Sequence, residues 1–267
     1  MLVDTHCHVA DAQFDADRDT VLARARKAGV GLFIEIAESP DTWDAAIALA
    51  DRHSDVYASL GIHPHHAHEV VPTEWPAISS RLKELLKHPK VLAVGEFGLD
   101  YFRMQNTKEQ QDYLFKRQLE LAREAGKPIV IHCRDAHEDT QKGLFEFFPN
   151  VSGGHALPKP NGVIHCFTGT WTDAQAYLLH GFMLGIDGPV TYPNSKQLKE
   201  NVARLPLERM VLETDSPYLP PQSHRGQRND PSHIPTIAAA IAELKHTTPE
   251  AVGAATTANA RALFRLV

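Results

Sequence analysis

Five apolar runs in this chain end in the same way, and that repetition constrains the fold more than any single motif. LVDTHCH closes on His6 and His8, VLAVGEFGLDY carries Glu96, PIVIHCRDA carries His132, GVIHCFTG carries His165, and RMVLETDSPY carries Asp215. Each run leads β-type residues into a metal-type ligand at or near the strand's C-terminal end. Alternation along the first strand sends His6 and His8 to one face. An isolated His-x-His reads equally well as a hydrogen-bonded core histidine beside an exposed one. Four histidines and two carboxylates at equivalent strand ends do not, because buried ionisable groups must be paired or metal-bound.

Helical patterns fill the gaps between strands. Apolar spacing predicts helices over 17–28, 42–51, 74–87, 136–147 and 172–180, with another starting near Ser195, and further strands over 30–36, 56–62 and 182–186. The clearest helix starts at Thr107, which forms a capping box with Gln110, and it presents Phe115, Leu119 and Ala122 on one face before Gly126 and Pro128 stop it. Helices over 234–244 and 250–264 close the chain, the second with Thr248 as N-cap and Pro249 at its first position. Eight strands alternating with helices, with no repeat and no linker, predict one α/β domain over 1–267: a single (β/α)8 TIM barrel with additional C-terminal helices. The length of 267 residues suits a barrel of about 250, whose active face is at the C-terminal strand ends. The stretch 148–161 is a long Gly/Pro-rich loop for such a connection, expected to be mobile, and His155 within it is expected to face solvent.

Lys plus Arg number 27 against 33 Asp plus Glu, and the net charge of −6 argues against a protein that coats long duplexes by neutralising phosphates. The 16 histidines suit borderline transition metals. Cys7, Cys133 and Cys166 each adjoin a candidate ligand, and alternation turns them towards the layer between barrel and helices as packing residues. Three cysteines without Cys-x-x-Cys spacing, and no secretory or membrane-length apolar run, predict a cytoplasmic protein with no membrane association. No obligate protein partner is evident.

The motifs DTHCH, GIHPH, GEFGLDYF, FKRQLELAREAGKPIVIHCRDA, GVIHCFTG, ETDSPYL, HRGQRNDP and TTANARALF together resemble the TatD-type deoxyribonucleases, metal-dependent hydrolases on an amidohydrolase-like barrel. The resemblance runs from about residue 4 to residue 264. It implies that His6, His8, Glu96, His132, His165 and Asp215 bind the metal ions, with Glu96 bridging two of them. It also implies hydrolysis of DNA phosphodiesters, expected in the 3′-5′ direction; the net charge of −6 and a site deep at a barrel mouth add the expectation that the substrate is the end of a single strand. The insert at 148–161 departs from the pattern and is read as a lid or a filter on substrate range.

Two cations a few ångströms apart can share a hydroxide and stabilise both the attacking and the leaving oxygen of a phosphodiester. Asp215 has the chemistry to hold one metal and take the nucleophile's proton. Imidazole-rich sites favour zinc, manganese, cobalt or iron, with magnesium able to support activity, and a third ion is left open beside the two. His63 in GIHPH is a candidate phosphate contact or proton donor. Arg134, Arg225 and Arg228 are candidates for gripping phosphate, each against a reading as an ordinary surface ion pair. Tyr101 and Tyr218 are read as packing residues rather than base-stacking ones. The alternatives to a nuclease are a hydrolase of small phosphate esters, amides or lactones on the same barrel, and a non-catalytic metal-binding protein.

Overall fold

The computed structural model describes residues 1–149 and 160–266, so most of the 148–161 insert, His155 included, lies outside the described residues. The chain alternates β1 (Leu2–Cys7), α1 (Arg18–Lys27), β2 (Val30–Ala37), α2 (Trp43–Arg52), β3 (Val56–Leu60), α3 (Trp75–Leu85), β4 (Val91–Asp100) and α4 (Lys108–Ala125). It continues with β5 (Ile129–Arg134), α5 (His137–Phe147), β6 (Gly162–Ile164), α6 (Trp171–Leu179), β7 (Phe182–Ile186), α7 (Lys196–Arg204), β8 (Met210–Leu212), α8 (Ile234–Leu244) and α9 (Pro249–Phe264). All eight strands pair in parallel in sequence order. A parallel bridge between Cys7 and Ser216, with the Thr5 hydroxyl donating to the Leu212 carbonyl, brings the end of the ring back to its start. No helix among the described residues is long and apolar enough to cross a membrane.

Two apolar layers follow from strand alternation. Val3, Leu32, Ile34, Ile36, Ala93, Val130, Val163, Met183 and Val211 point inward, and Leu263 and Phe264 from the end of α9 join them. The extra C-terminal helix thus belongs to the barrel's inner core. The opposite faces of the same strands, among them Phe33, Phe97, Ile131 and Leu184, meet the surrounding helices. Fully burying such a side chain stabilises the fold by about 1.5–3 kcal/mol, so both faces resist polar substitution.

The strands depart from simple alternation where the candidate ligands lie. β1 stops at Cys7, so His8 lies just beyond it, and the pairing with β2 shifts register between Asp4 and Cys7. β4 runs on to Asp100, four residues past Glu96, and its pairing with β5 shifts between Val94 and Phe97. Glu96 is therefore within a strand and not at its end. Cys7 and Cys133 are buried in the layer between barrel and helices as expected. Cys166 corrects that expectation: its φ of 44° turns it off the β6 direction and leaves it only partly buried at the mouth.

Helix α4 carries much of the positioning. Thr107 and Gln110 form the expected capping box, and Gly126, at φ 62°, supplies the left-handed cap. Seven residues apart on its buried face, Gln111 and Gln118 each bond both backbone groups of one residue beside the mouth. Gln111 accepts from the Asp100 N–H and donates to the Asp100 carbonyl, and Gln118 does the same for Ile62. These strand termini would otherwise bury unpaired groups. Thr107→Ala should cost about 1 kcal/mol of stability by loss of the cap, read as a lower urea midpoint with unchanged catalytic rate; an unchanged midpoint would show that the cap contributes nothing.

Candidate metal centre

The residues picked out at the strand ends converge on one point at the C-terminal mouth. Glu96 is at its centre, 2% exposed. Its Oε1 is 2.8 Å from His132 Nδ1, 3.7 Å from His165 Nε2 and 3.8 Å from His63 Nε2, and its Oε2 is 3.2 Å from His6 Nε2. Asp215 Oδ1 is 3.4 Å from His8 Nε2, 3.7 Å from His6 Nε2 and 3.8 Å from His165 Nε2. Asp215 reaches this position from φ 56°, a region few non-glycine residues occupy, held by its N–H donating to the His6 carbonyl. Three groups bring ligand atoms within 4.8 Å of one another: His6, His8 and Glu96; His6, His165 and Asp215; and His63, Glu96 and His132.

Whether these residues suit a metal is decided by His6. Its ring is fully buried, yet neither nitrogen has a hydrogen-bond partner among the described residues. The Nε2 is close to two carboxylates without being aligned to either. A buried polar atom left in this way costs about 1–3 kcal/mol. Ligands of a shared cation have this arrangement, because each aims at the ion and not at its neighbour. Hard and borderline donors, four imidazoles with two carboxylates, fit a divalent ion.

Electrostatics agree. Burial opposes ionisation of Glu96, but the imidazoles of His165, His6 and His132 hold it well below the usual carboxylate range. Asp215 is likewise depressed against its burial, by His8 and His165. Burial and the charge of His165 lower His6. For His8 and His132 burial is again the largest influence and lowers them, but it is outweighed: Asp215 and Glu38 lift His8 to about 10, and Asp100 and Glu96 lift His132 to about 8. His165 is pushed well above its ordinary value, chiefly by Glu213 and Glu96 against burial.

A surrounding set of groups, absent from the strand-end reading, holds the imidazoles. Asp100 accepts from His132 Nε2 at 3.1 Å and from His65 Nε2 at 2.9 Å, and the N–H groups of Phe102 and Arg103 donate to its other oxygen. Glu213, fully buried, has Oε1 3.0 Å from His165 Nδ1 and accepts the Cys166 N–H. Glycine at 185 makes room for that carboxylate, since a Cβ there would overlap it. His8 Nδ1 donates to the Ile36 carbonyl. Carboxylates or carbonyls behind a ligating imidazole fix its ring and tautomer. Asp100 and Glu213 both lie in the apolar runs already singled out, four residues after Glu96 and two before Asp215, but nothing in the local pattern marks them out from Asp4 of the first run, which faces Thr214 instead.

The remaining candidates divide. Glu38, His63, His65, Arg103, Arg134 and Tyr218 line the same cleft of about 250 Å³. His63 Nδ1 accepts the His65 N–H, which leaves the ring proton on Nε2, facing Glu96. Arg228 is held elsewhere: it pairs with Asp17 at 2.6 Å, donates to the Gln13 carbonyl and stacks on Phe14, so it does not reach the cleft. Arg225 is exposed over the Tyr192 ring, 4.5 Å from its centroid, and is not among the cleft-lining residues. Tyr101 donates to Asp139 with Lys108 over its ring, away from the ligands. Tyr218, expected to pack, is 47% exposed at the rim.

A parallel eight-stranded barrel with an imidazole and carboxylate cluster at its C-terminal mouth is the architecture of a metal-dependent hydrolase. Residues 3–265 match the model of the TatD related DNase family, and the chain belongs to that family. The Bacillus subtilis protein described as "Uncharacterized metal-dependent hydrolase YabD" is 38% identical over the whole of both chains. The "3'-5' ssDNA/RNA exonuclease TatD" of Erwinia billingiae is 38% identical over 99% of each. Among solved structures, the TatD homologue YjjV of Escherichia coli K12 superposes with a TM-score of 0.89 at 31% identity, over 100% of this chain and 98% of that one. The protein is accordingly an enzyme, a metal-dependent hydrolase acting on ester bonds in a family whose substrate class is nucleic acid.

If His8 and His132 are ligands, metal uptake at neutral pH should displace protons, because, against burial, Asp215 and Glu38 for the first and Asp100 and Glu96 for the second raise these imidazoles above their ordinary value and only the neutral ring can ligate. Calorimetric titration with Zn²⁺ in buffers of different ionisation enthalpy should show more than one proton released per protein at pH 7; no buffer dependence would refute the ligand roles of both residues.

Proposed function

We propose that the protein removes nucleotides stepwise from the 3′ end of single-stranded DNA, with His6, His8, Glu96, His132, His165 and Asp215 holding two divalent ions and Glu96 shared between them. The observation that carries the reading is His6: a fully buried imidazole with no hydrogen-bond partner, aimed with Glu96 and Asp215 at one point. The donor set favours zinc, manganese, cobalt or iron over magnesium. When bound, such ions acidify water and offset the negative charge that builds on a phosphodiester.

The chain's own residues supply the rest. Asp215, kept anionic by His8 and His165 despite burial, takes the proton of the attacking water on a carboxylate oxygen. His63 presents Nε2–H to a phosphate or leaving oxygen; with its other nitrogen occupied by the His65 N–H, it acts as donor and not as ligand to a third ion. Arg134, on the cleft wall, is the arginine suited to grip a phosphate, a role for which Arg228 is not free. Asp100 and Glu213 hold His132 and His165 in register.

Polarity follows from shape and charge. With net charge −6, broad capture of duplex is weak. Ligands seated among strand ends admit a free end more readily than a duplex interior, which would have to be distorted to reach them. The Erwinia billingiae relative's name supports the same polarity. Three free thiols, Cys7, Cys133 and Cys166, support work in a reducing compartment, the cytoplasm.

Two outcomes are expected. Glu96→Ala should lose most of about two bound metal ions by elemental analysis, and retention of wild-type metal would remove Glu96 as the shared ligand. A 5′-labelled oligonucleotide should yield a ladder of progressively shorter products, whereas equally fast cutting of circular single-stranded DNA would refute attack from an end.

A further inference from the structure

Among the described residues, two aromatic side chains stand in solvent, Phe102 at 59% exposure and Tyr218 at 47%. Tyr218 lines the cleft, and Phe102 lies in sequence between the cleft-lining Asp100 and Arg103, with the cleft-lining Arg134 over its ring. Phe102 follows β4 and Tyr218 follows β8, strands that oppose each other across an eight-membered ring, so the two residues leave the barrel from opposite sides of it. Exposed aromatic surface forfeits the burial that usually stabilises such a residue. Two instances at one site, and none elsewhere in the described residues, call for an occupant.

Each ring is also fixed to the centre it borders. The Phe102 N–H donates to Asp100, the carboxylate that holds His132, and the Arg134 guanidinium stacks on one ring face, 3.9 Å from the centroid. The residue is otherwise largely exposed. The Tyr218 N–H donates to the Asp215 carbonyl, its own carbonyl accepts from Asn229, and its ring meets His8 edge-on at 6.1 Å. These are rigid, flat, apolar surfaces beside cationic groups, as nucleobases require of a stacking partner.

Building on the strand-end reading above, we propose that Phe102 and Tyr218 are base-stacking platforms, each receiving the base on one side of the scissile phosphate, with Arg134 backing Phe102. Because every base has a π face, such a clamp grips single strands without selecting sequence, and it fails on a paired strand whose bases are already stacked.

The test compares wild type, Phe102→Ala, Phe102→Trp and Tyr218→Ala on three single-stranded oligonucleotides: fully base-bearing, abasic at the last nucleotide, and abasic at the next-to-last. Phe102→Ala should lose roughly 10-fold in kcat/KM on the base-bearing strand and almost nothing where one of the two abasic positions has already removed its partner. Tyr218→Ala should behave in the same way with the other abasic position. Phe102→Trp should keep wild-type rates, and metal content should not change in any variant. Equal losses on all three strands, or no loss on any, would overturn the platforms. Wild type that shortens none of the strands would refute the strand-end reading itself, an outcome distinct from normal shortening that ignores the bases.

Discussion

The structure depends on a buried carboxylate surrounded by buried imidazoles. Glu96 is within 2.8–3.8 Å of four histidines contributed by four different strands or strand ends. Burying that much ionisable chemistry is unfavourable unless the charges are compensated, and compensation here requires positions accurate to fractions of an ångström from segments up to 159 residues apart in the chain, His6 to His165. A parallel ring of strands meets that requirement. It places the carboxyl ends of all strands on one circle, so each can deliver one ligand inward while its preceding residues pack the core.

Precision at the mouth is maintained by neighbours that stand behind the candidate ligands. Asp100 links His132, His65 and the rim loop, so the groups that would hold metal and the surface that faces substrate share one buried carboxylate. Glu213 occupies space left by the glycine at 185 to reach His165. Gln111 and Gln118 tie the ends of two strands to α4. The opposite end of the barrel is treated differently. Leu263 and Phe264 from α9 join an apolar inner core there, contributing stability without chemistry.

Charge is concentrated with equal economy. The chain is acidic as a whole, yet the cleft wall carries Arg103 and Arg134 beside the imidazoles. Attraction for an anionic substrate is thereby local, short-ranged at physiological salt, and aligned with the centre. That arrangement fits recognition of a single strand end better than the continuous basic surface needed to track a duplex.

How much of this could be read from the amino-acid order depends on the range of the interaction. Hydrophobic periodicity and turn chemistry are local, so the alternation of strands and helices, the Thr107 and Thr248 caps and the stop at Gly126 are where the order of residues puts them. The six candidate ligands were legible for the same reason, since each closes or follows an apolar run, but register shifts and left-handed backbone at the mouth, not strand alternation alone, aim them at one point. Asp100 and Glu213 belong to those same runs but act by facing a histidine on a neighbouring strand, and pairing of that kind is created only when the ring assembles. Arg225 and Arg228 looked equivalent in the loop after β8, and only packing separates them from the cleft, through Tyr192 for one and Asp17 for the other. Cys166 and Tyr218 departed from expectation because left-handed backbone at Cys166 and Asp215 redirects the chain at the mouth. By itself the sequence determined the barrel and which residues are candidate ligands, through local patterning; the tertiary structure alone decided that those residues meet at one point, which polar groups stand behind them and which side chains line the cleft, because those relations exist only between strands brought together by closure of the ring.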